Sequence, residues 1–225
     1  MGKTALAVLE EEAEWAEDRV LYSTLDHFSE NMDEMPVPGM GLGLIRRSAE
    51  KRLVQQVEDE LVPVIEEHME AQFEVVEALA SGRDPEDVRT EHADRLLATN
   101  PLWEALEGED VREELLDGDM EVCQRAAVWV EEAGDEEFED FADLAVSLGH
   151  TPAEARAEIE PLLDYLPALL EEYRNDLDLS AHSSLLESGE VREWFVDTLV
   201  EGLEQSQAAA LDELEERVRE RHSTG

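Results

Sequence analysis

Six histidines, one cysteine and sixty acidic residues are the groups in this 225-residue chain that could support metal or acid–base chemistry. A carboxylate-bridged di-metal centre in a helical bundle needs Glu-x-x-His pairs, because three-residue spacing puts both ligands on one helix face. The residues three before His27, His68, His92, His150, His182 and His222 are Thr24, Ile65, Arg89, Ser147, Leu179 and Arg219. There is no His-x-x-x-His pair, so zincin-type metal binding has no support. His68 in IEEHME and His27 in LDHFSE sit among acids, as chance dictates in a chain so rich in carboxylates. No metal or cofactor is expected.

Nucleophile chemistry has equally little to rest on. No Gly-x-Ser-x-Gly elbow occurs, and Cys123 lies inside the helical run EVCQRAAVWV, where it reads as a small core residue. Gly2-Lys3-Thr4 copies the end of a phosphate-binding loop but lacks the glycine loop and strand before it. The sequence therefore points away from an enzyme and offers no catalytic residue.

One basic segment breaks the acidic background. Residues 36–52 read PVPGMGLGLIRRSAEKR and hold four of the seventeen basic residues. The glycines fall at Gly39, Gly41 and Gly43, which is not the dinucleotide fingerprint, and a helix rather than a strand precedes them. With Met35 just before it, the segment combines Val37, Met40, Leu42 and Ile45 with Arg46, Arg47 and Arg52. Methionine-rich surfaces adapt to partners, and bidentate arginine–carboxylate pairs survive salt, so these eight residues are the expected partner-binding set. Burial of the same apolar side chains within the chain's own bundle is the competing reading.

The corner FADLAVSLGHTPAEARAEI resembles a helix-turn-helix, and also the small three-helix modules of the ubiquitin-associated type. That resemblance implies a regulator that grips nucleic acid, yet its second helix sets Arg156 among Glu154, Glu158 and Glu160. Phosphate contact needs a net basic face, so nucleic acid is not expected as a partner.

Formal net charge is -43, with Lys3 and Lys51 the sole lysines and hydrophobic residues at an ordinary 42%. A carboxylate-rich surface with few lysine stems suits an intracellular protein of an extreme halophile, whose stability depends on high KCl or NaCl. The expected setting is the cytoplasm of a halophilic archaeon, or a virion component assembled within one. With one cysteine no intrachain disulfide forms. The start MGKTALAVLEEE lacks the apolar length of a signal peptide, and no run of 18 apolar residues predicts a membrane span.

Helical periodicity runs through nearly every segment, so the expected fold is all-α, a bundle of about seven or eight helices. The first helix is expected from about Thr4 to Ser29. A long second helix follows from about Leu44 to Leu79, kinked near Pro63. Asp84-Pro85, Asn100-Pro101 and Thr151-Pro152-Ala153-Glu154 mark helix starts by N-cap and first-turn proline. Further helices are expected at 110–132 and 137–148, with breaks at Pro161 and Pro167, and a last helix of about 48 Å at 190–221. Residues 1–225 read as a single multihelical domain with a sub-boundary near 81–84. The functional expectation is a non-enzymatic interaction protein, an adaptor, accessory or structural subunit acting on a protein partner or on itself. The alternatives are a helix-turn-helix regulator, a helical maturation chaperone, and an enzyme with an unrecognised carboxylate or metal site.

Overall fold

A computed structural model describes residues 2–36, 51, 55, 59, 62–100, 109–163, 166 and 189–224. The fold is all-α, with seven α-helices among the described residues. They are α1 (Ala5–Asn31), α2 (Val62–Ala80), α3 (Pro85–Thr99), α4 (Glu109–Ala133), α5 (Phe141–Ser147), α6 (Pro152–Ile159) and α7 (Gly189–Thr224). None of the described helices is long and apolar enough to cross a membrane.

Helix α1 starts where Thr4 accepts the Ala7 N–H through its hydroxyl. Ala5, Val8, Leu9, Ala13, Ala16, Val20, Leu21, Leu25 and Phe28 recur at helical spacing and are all buried. Their main partner is α7, which runs antiparallel along the helix. At one end Arg217 of α7 is bound to Glu12, and at the other Phe28 packs edge-on against Phe195 at 4.6 Å. The two backbones approach closely between these points. A Cβ on Gly202 would lie 2.9 Å from His27 Cδ2, so glycine is what lets them meet. The 36 residues of α7 span about 54 Å, and the apolar stripe Val191, Phe195, Leu199, Leu203, Ala210, Leu211, Leu214 and Val218 is buried within the chain.

Helices α5 and α6 also pack on α7, whereas α2, α3 and α4 form a second group that α1 joins to the first. The α5–α6 corner is closed by Gly149 at φ +81, with the His150 N–H bonded to Ala145 O and the Gly149 N–H to Val146 O. Thr151 and Glu154 then make the reciprocal capping box that the sequence announces. Pro161 cannot donate to Ala157 O four residues earlier, and the chain tightens into a 3₁₀ turn at Glu160–Leu162. The carbonyl so released accepts a hydrogen bond from Arg125 of α4, which also pairs with Glu158.

The start of α5 differs from the expected 137. Phe138 exchanges two 2.9 Å backbone hydrogen bonds with Lys3, so the chain is extended there and the helix begins only after Asp140. Asp140 caps it by accepting from Asp143 N at 2.8 Å. Gly2 lies against Glu137, where a Cβ would fall 2.4 Å from that residue's own. Gly2, Lys3 and Thr4 thus make a close approach, a bridge and a cap. Pro63 is the second residue of α2; of the rest of the expected 44–79 helix, Lys51 and Gln55 are helical, Asp59 is π-helical, and the remainder lies outside the described residues, as does Pro167.

Candidate functional site

The densest set of buried polar side chains lies where α2, α4 and the end of α3 converge. His68 and Gln72 are one turn apart on α2, and Asp119 and Cys123 one turn apart on α4. Thr99 and Asn100 close α3, with the Asn100 N–H bonded back to Leu96 O. His68, Gln72, Asn100 and Asp119 are each more than nine-tenths buried.

Asp119 is the hub. Its Oδ1 accepts from Gln72 Nε2 at 2.9 Å and faces His68 Nε2 at 3.2 Å, while Oδ2 accepts from Asn100 Nδ2 at 3.1 Å. With Nε2–H turned to Asp119, the other ring nitrogen accepts from the Thr99 hydroxyl, 3.1 Å away. That hydroxyl also lies within reach of Arg95 O and Leu96 O, at 3.0 and 3.2 Å. The order Asp–His–Thr has the outline of a nucleophile relay, but Thr99 Oγ1 rests against its own helix backbone. Cys123 donates to Gln72 O at 3.4 Å, and burial, with the nearby Asp119, pushes its thiol well up, away from thiolate reactivity. Among the described residues no three His, Cys, Asp or Glu side chains are grouped to hold a metal ion.

A cavity of about 360 Å³ opens beside this network, lined by His68, Gln72, Asn100 and Asp119 on its inner side and by Glu114, Glu121 and Arg125 further out. Hydrogen bonds satisfy the Gln72 amide only on its nitrogen side; Oε1 is buried and has no partner. A buried acceptor left empty costs about 1–3 kcal/mol, which marks this atom as unusual within an otherwise satisfied cluster.

The expected partner-binding residues are placed only in part. Met35 follows the 3₁₀ turn Met32–Glu34 and is buried in the core with 6% of its surface exposed. Val37, Met40, Leu42, Ile45, Arg46, Arg47 and Arg52 lie outside the described residues. Arg156 of the α5–α6 corner is held by Asp212 at 2.9 Å and Glu215 at 3.3 Å of α7. Every arginine whose side chain is described is likewise paired with a carboxylate, most of them across helices, as Arg89 with Glu113 and Asp117 and Arg221 with Glu139 and Asp140.

Glu17 of α1 is a second buried acid, 4% exposed, with Oε1 unpartnered. Burial, and then repulsion from Asp18, Glu66 and Glu14, raises its pKa from 4.5 to about 8. Between those values the folded chain keeps a proton that the unfolded chain has lost, so stability from this group falls as pH rises and levels off above 8. Glu17→Gln is therefore expected to leave stability unchanged at about pH 4 and to raise it by on the order of 3 kcal/mol at about pH 9. Urea midpoints of the two proteins across that range check this; parallel pH profiles would count against it.

Set against family models, curated proteins and solved structures, the chain matches none of them.

Proposed function

We propose that the chain is a non-enzymatic helical interaction protein, an adaptor, accessory or structural subunit, working in the molar-salt cytoplasm of a halophilic archaeon or in a virion assembled there. The observation that carries this reading is how the chemistry-bearing side chains are used. Both ring nitrogens of His68 and both oxygens of Asp119 are engaged in tying α2, α3 and α4 together, and Cys123 is buried against Gln72. Those groups build a scaffold. The arginine pairing works the same way: scarce cations cross-link helices, leaving an outer surface dominated by carboxylates that hold water in salt.

On this reading the contact element is the basic, methionine-rich segment that begins at the buried Met35, with Arg46, Arg47 and Arg52 meeting carboxylates of a protein partner or of a second copy. Its test is the native mass in about 2 M KCl, together with whatever co-purifies. Arg46→Glu with Arg47→Glu is expected to abolish the association by at least about tenfold in affinity while the circular dichroism spectrum is retained. A wild-type chain that runs as a monomer with no partner, or a double variant that still associates, would refute the docking role.

A further inference from the structure

We propose that His150 is a proton-operated latch: when its ring takes up a proton it draws in Glu132 and fastens the α5–α6 corner to α4. This goes beyond the interaction reading and does not depend on it.

The latch sits at a seam. Helices α5 and α6 pack mainly on α7, while α4 belongs to the other helix group. Across the seam run the contacts of Arg125 with Ala157 O and Glu158, and a stack of rings. Trp129 of α4 lies parallel to the His150 imidazole, with 4.2 Å between centroids and 3° between planes, and it also stacks on Phe141 of α5 at 5.4 Å. The backbone of His150 is anchored at both ends. Its N–H bonds to Ala145 O, and its carbonyl accepts from His222 Nε2 of α7 at 2.9 Å. A pull on this residue therefore reaches α5 and α7 as well.

The neutral ring is poorly served. Its Nε2 is buried without a hydrogen-bond partner, and Glu132 Oε2 of α4 stands 3.8 Å away. At that distance neither tautomer bonds: a bare Nε2 turns its lone pair toward a carboxylate, and an Nε2–H falls short by about 1 Å. A proton changes both contacts. The imidazolium makes Nε2 a charged donor to Glu132, and its charge lies over the indole face, well inside the reach of a cation–π contact. Glu132 keeps 53% of its side chain exposed, so a small side-chain rotation closes the gap. The ring itself is 24% exposed, which lets it exchange protons with solvent.

Among the described residues the other titratable groups around the ring are Glu154 of α6 and His222 of α7. Glu154, held by the Thr151 N–H and hydroxyl, favours charge on His150, and a charged His222 opposes it. His222 is exposed, and in about 1 M salt the screening length is about 3 Å, so a touching Glu132 outweighs it.

Amide hydrogen exchange and tryptophan emission test this, both in about 2 M KCl from about pH 8 to about pH 5.5, the interval in which histidines change charge. Protection of the Gly149 and His150 amides, corrected for intrinsic exchange, is expected to rise about tenfold over amides of α3 as pH falls, the gain from one charge-assisted bond. Emission should fall over the same range, by at most the share of one indole in four, because a stacked imidazolium quenches the indole. His150→Gln retains both backbone bonds and should lose both changes. Glu132→Gln should keep the quenching and lose most of the gain in protection, which separates a latch from a histidine that only titrates. Protection that does not rise in the wild-type chain would overturn the proposal, as would a rise that Glu132→Gln retains in full.

Discussion

Asp119→Ala is expected to destabilise the protein by about 3–5 kcal/mol, the largest effect of any single substitution outside the apolar core. The substitution removes one acceptor group and leaves three donors behind, Gln72 Nε2 and His68 Nε2 on α2 and Asn100 Nδ2 at the end of α3. Each buried donor without a partner costs about 1–3 kcal/mol, so the simple sum runs higher than the expected figure. Two effects bring it down. The adjoining cavity admits water to some of the stranded groups, and the cost of burying Asp119 itself is relieved. In a chain of this length the loss corresponds to roughly 10 °C in melting temperature. Asp119→Asn is the informative companion. Its amide keeps one oxygen for Gln72 and His68 but turns an NH₂ toward the NH₂ of Asn100, so it should cost less than alanine and more than nothing. Thermal unfolding followed by circular dichroism measures both. An alanine variant within about 1 kcal/mol of the parent would show that Asp119 does not hold the helices together.

That hub shows where sequence reading succeeds and where it stops. Helix starts at Asp84 and Thr151 were legible because a cap is a contract between residues two or three apart. The start of α5 was not, because the residues before it are pulled straight by Lys3, more than 130 positions away in the chain. His68 and Asp119 are 51 residues apart, and nothing local pairs them. A signal did exist. His68 and Gln72 continue the buried stripe that holds Ile65, Val75 and Val76, and Asp119 falls between the buried Leu116 and Cys123. Polar residues on an apolar helix face must find partners in the interior. Acid-rich flanks such as IEEHME hide that signal, because in this composition four of the six histidines have a carboxylate within two residues in sequence. Asn100-Pro101 carried a second ambiguity: an N-cap pattern in sequence, it places its amide on Asp119 at the end of α3.

Loss of salt is expected to have the largest effect of all, complete unfolding at room temperature in dilute buffer and recovery in molar KCl. Sixty acids against seventeen bases leave a charge of -43 on one domain-sized chain. At about 0.01 M salt the Debye length is roughly 30 Å, so charges on opposite faces repel; at 1 M it is about 3 Å, and only touching groups interact. The described ion pairs sit mainly at the surface and contribute about 0–1 kcal/mol each, too little to offset that repulsion in dilute buffer. Buried and half-buried acids add to the strain. Glu10, Glu12, Glu17 and Glu158 all have pKa values raised, chiefly by burial, and Glu12 and Glu158 remain raised despite the arginines beside them. Each therefore favours the folded state more as pH falls toward 4.5, so mild acid should act as a partial substitute for salt. A chain unfolded at about pH 8 in dilute buffer is expected to regain helical circular dichroism at about pH 5 without added KCl, and Glu17→Gln should lower the KCl concentration needed at pH 8. This pairing separates charge relief from specific ion binding: bound potassium would be released by acid, not replaced by it. A protein equally stable in dilute buffer and in molar KCl would remove the basis for placing it in a halophile, and refolding by salt but never by acid would assign the effect to bound ions rather than to self-repulsion.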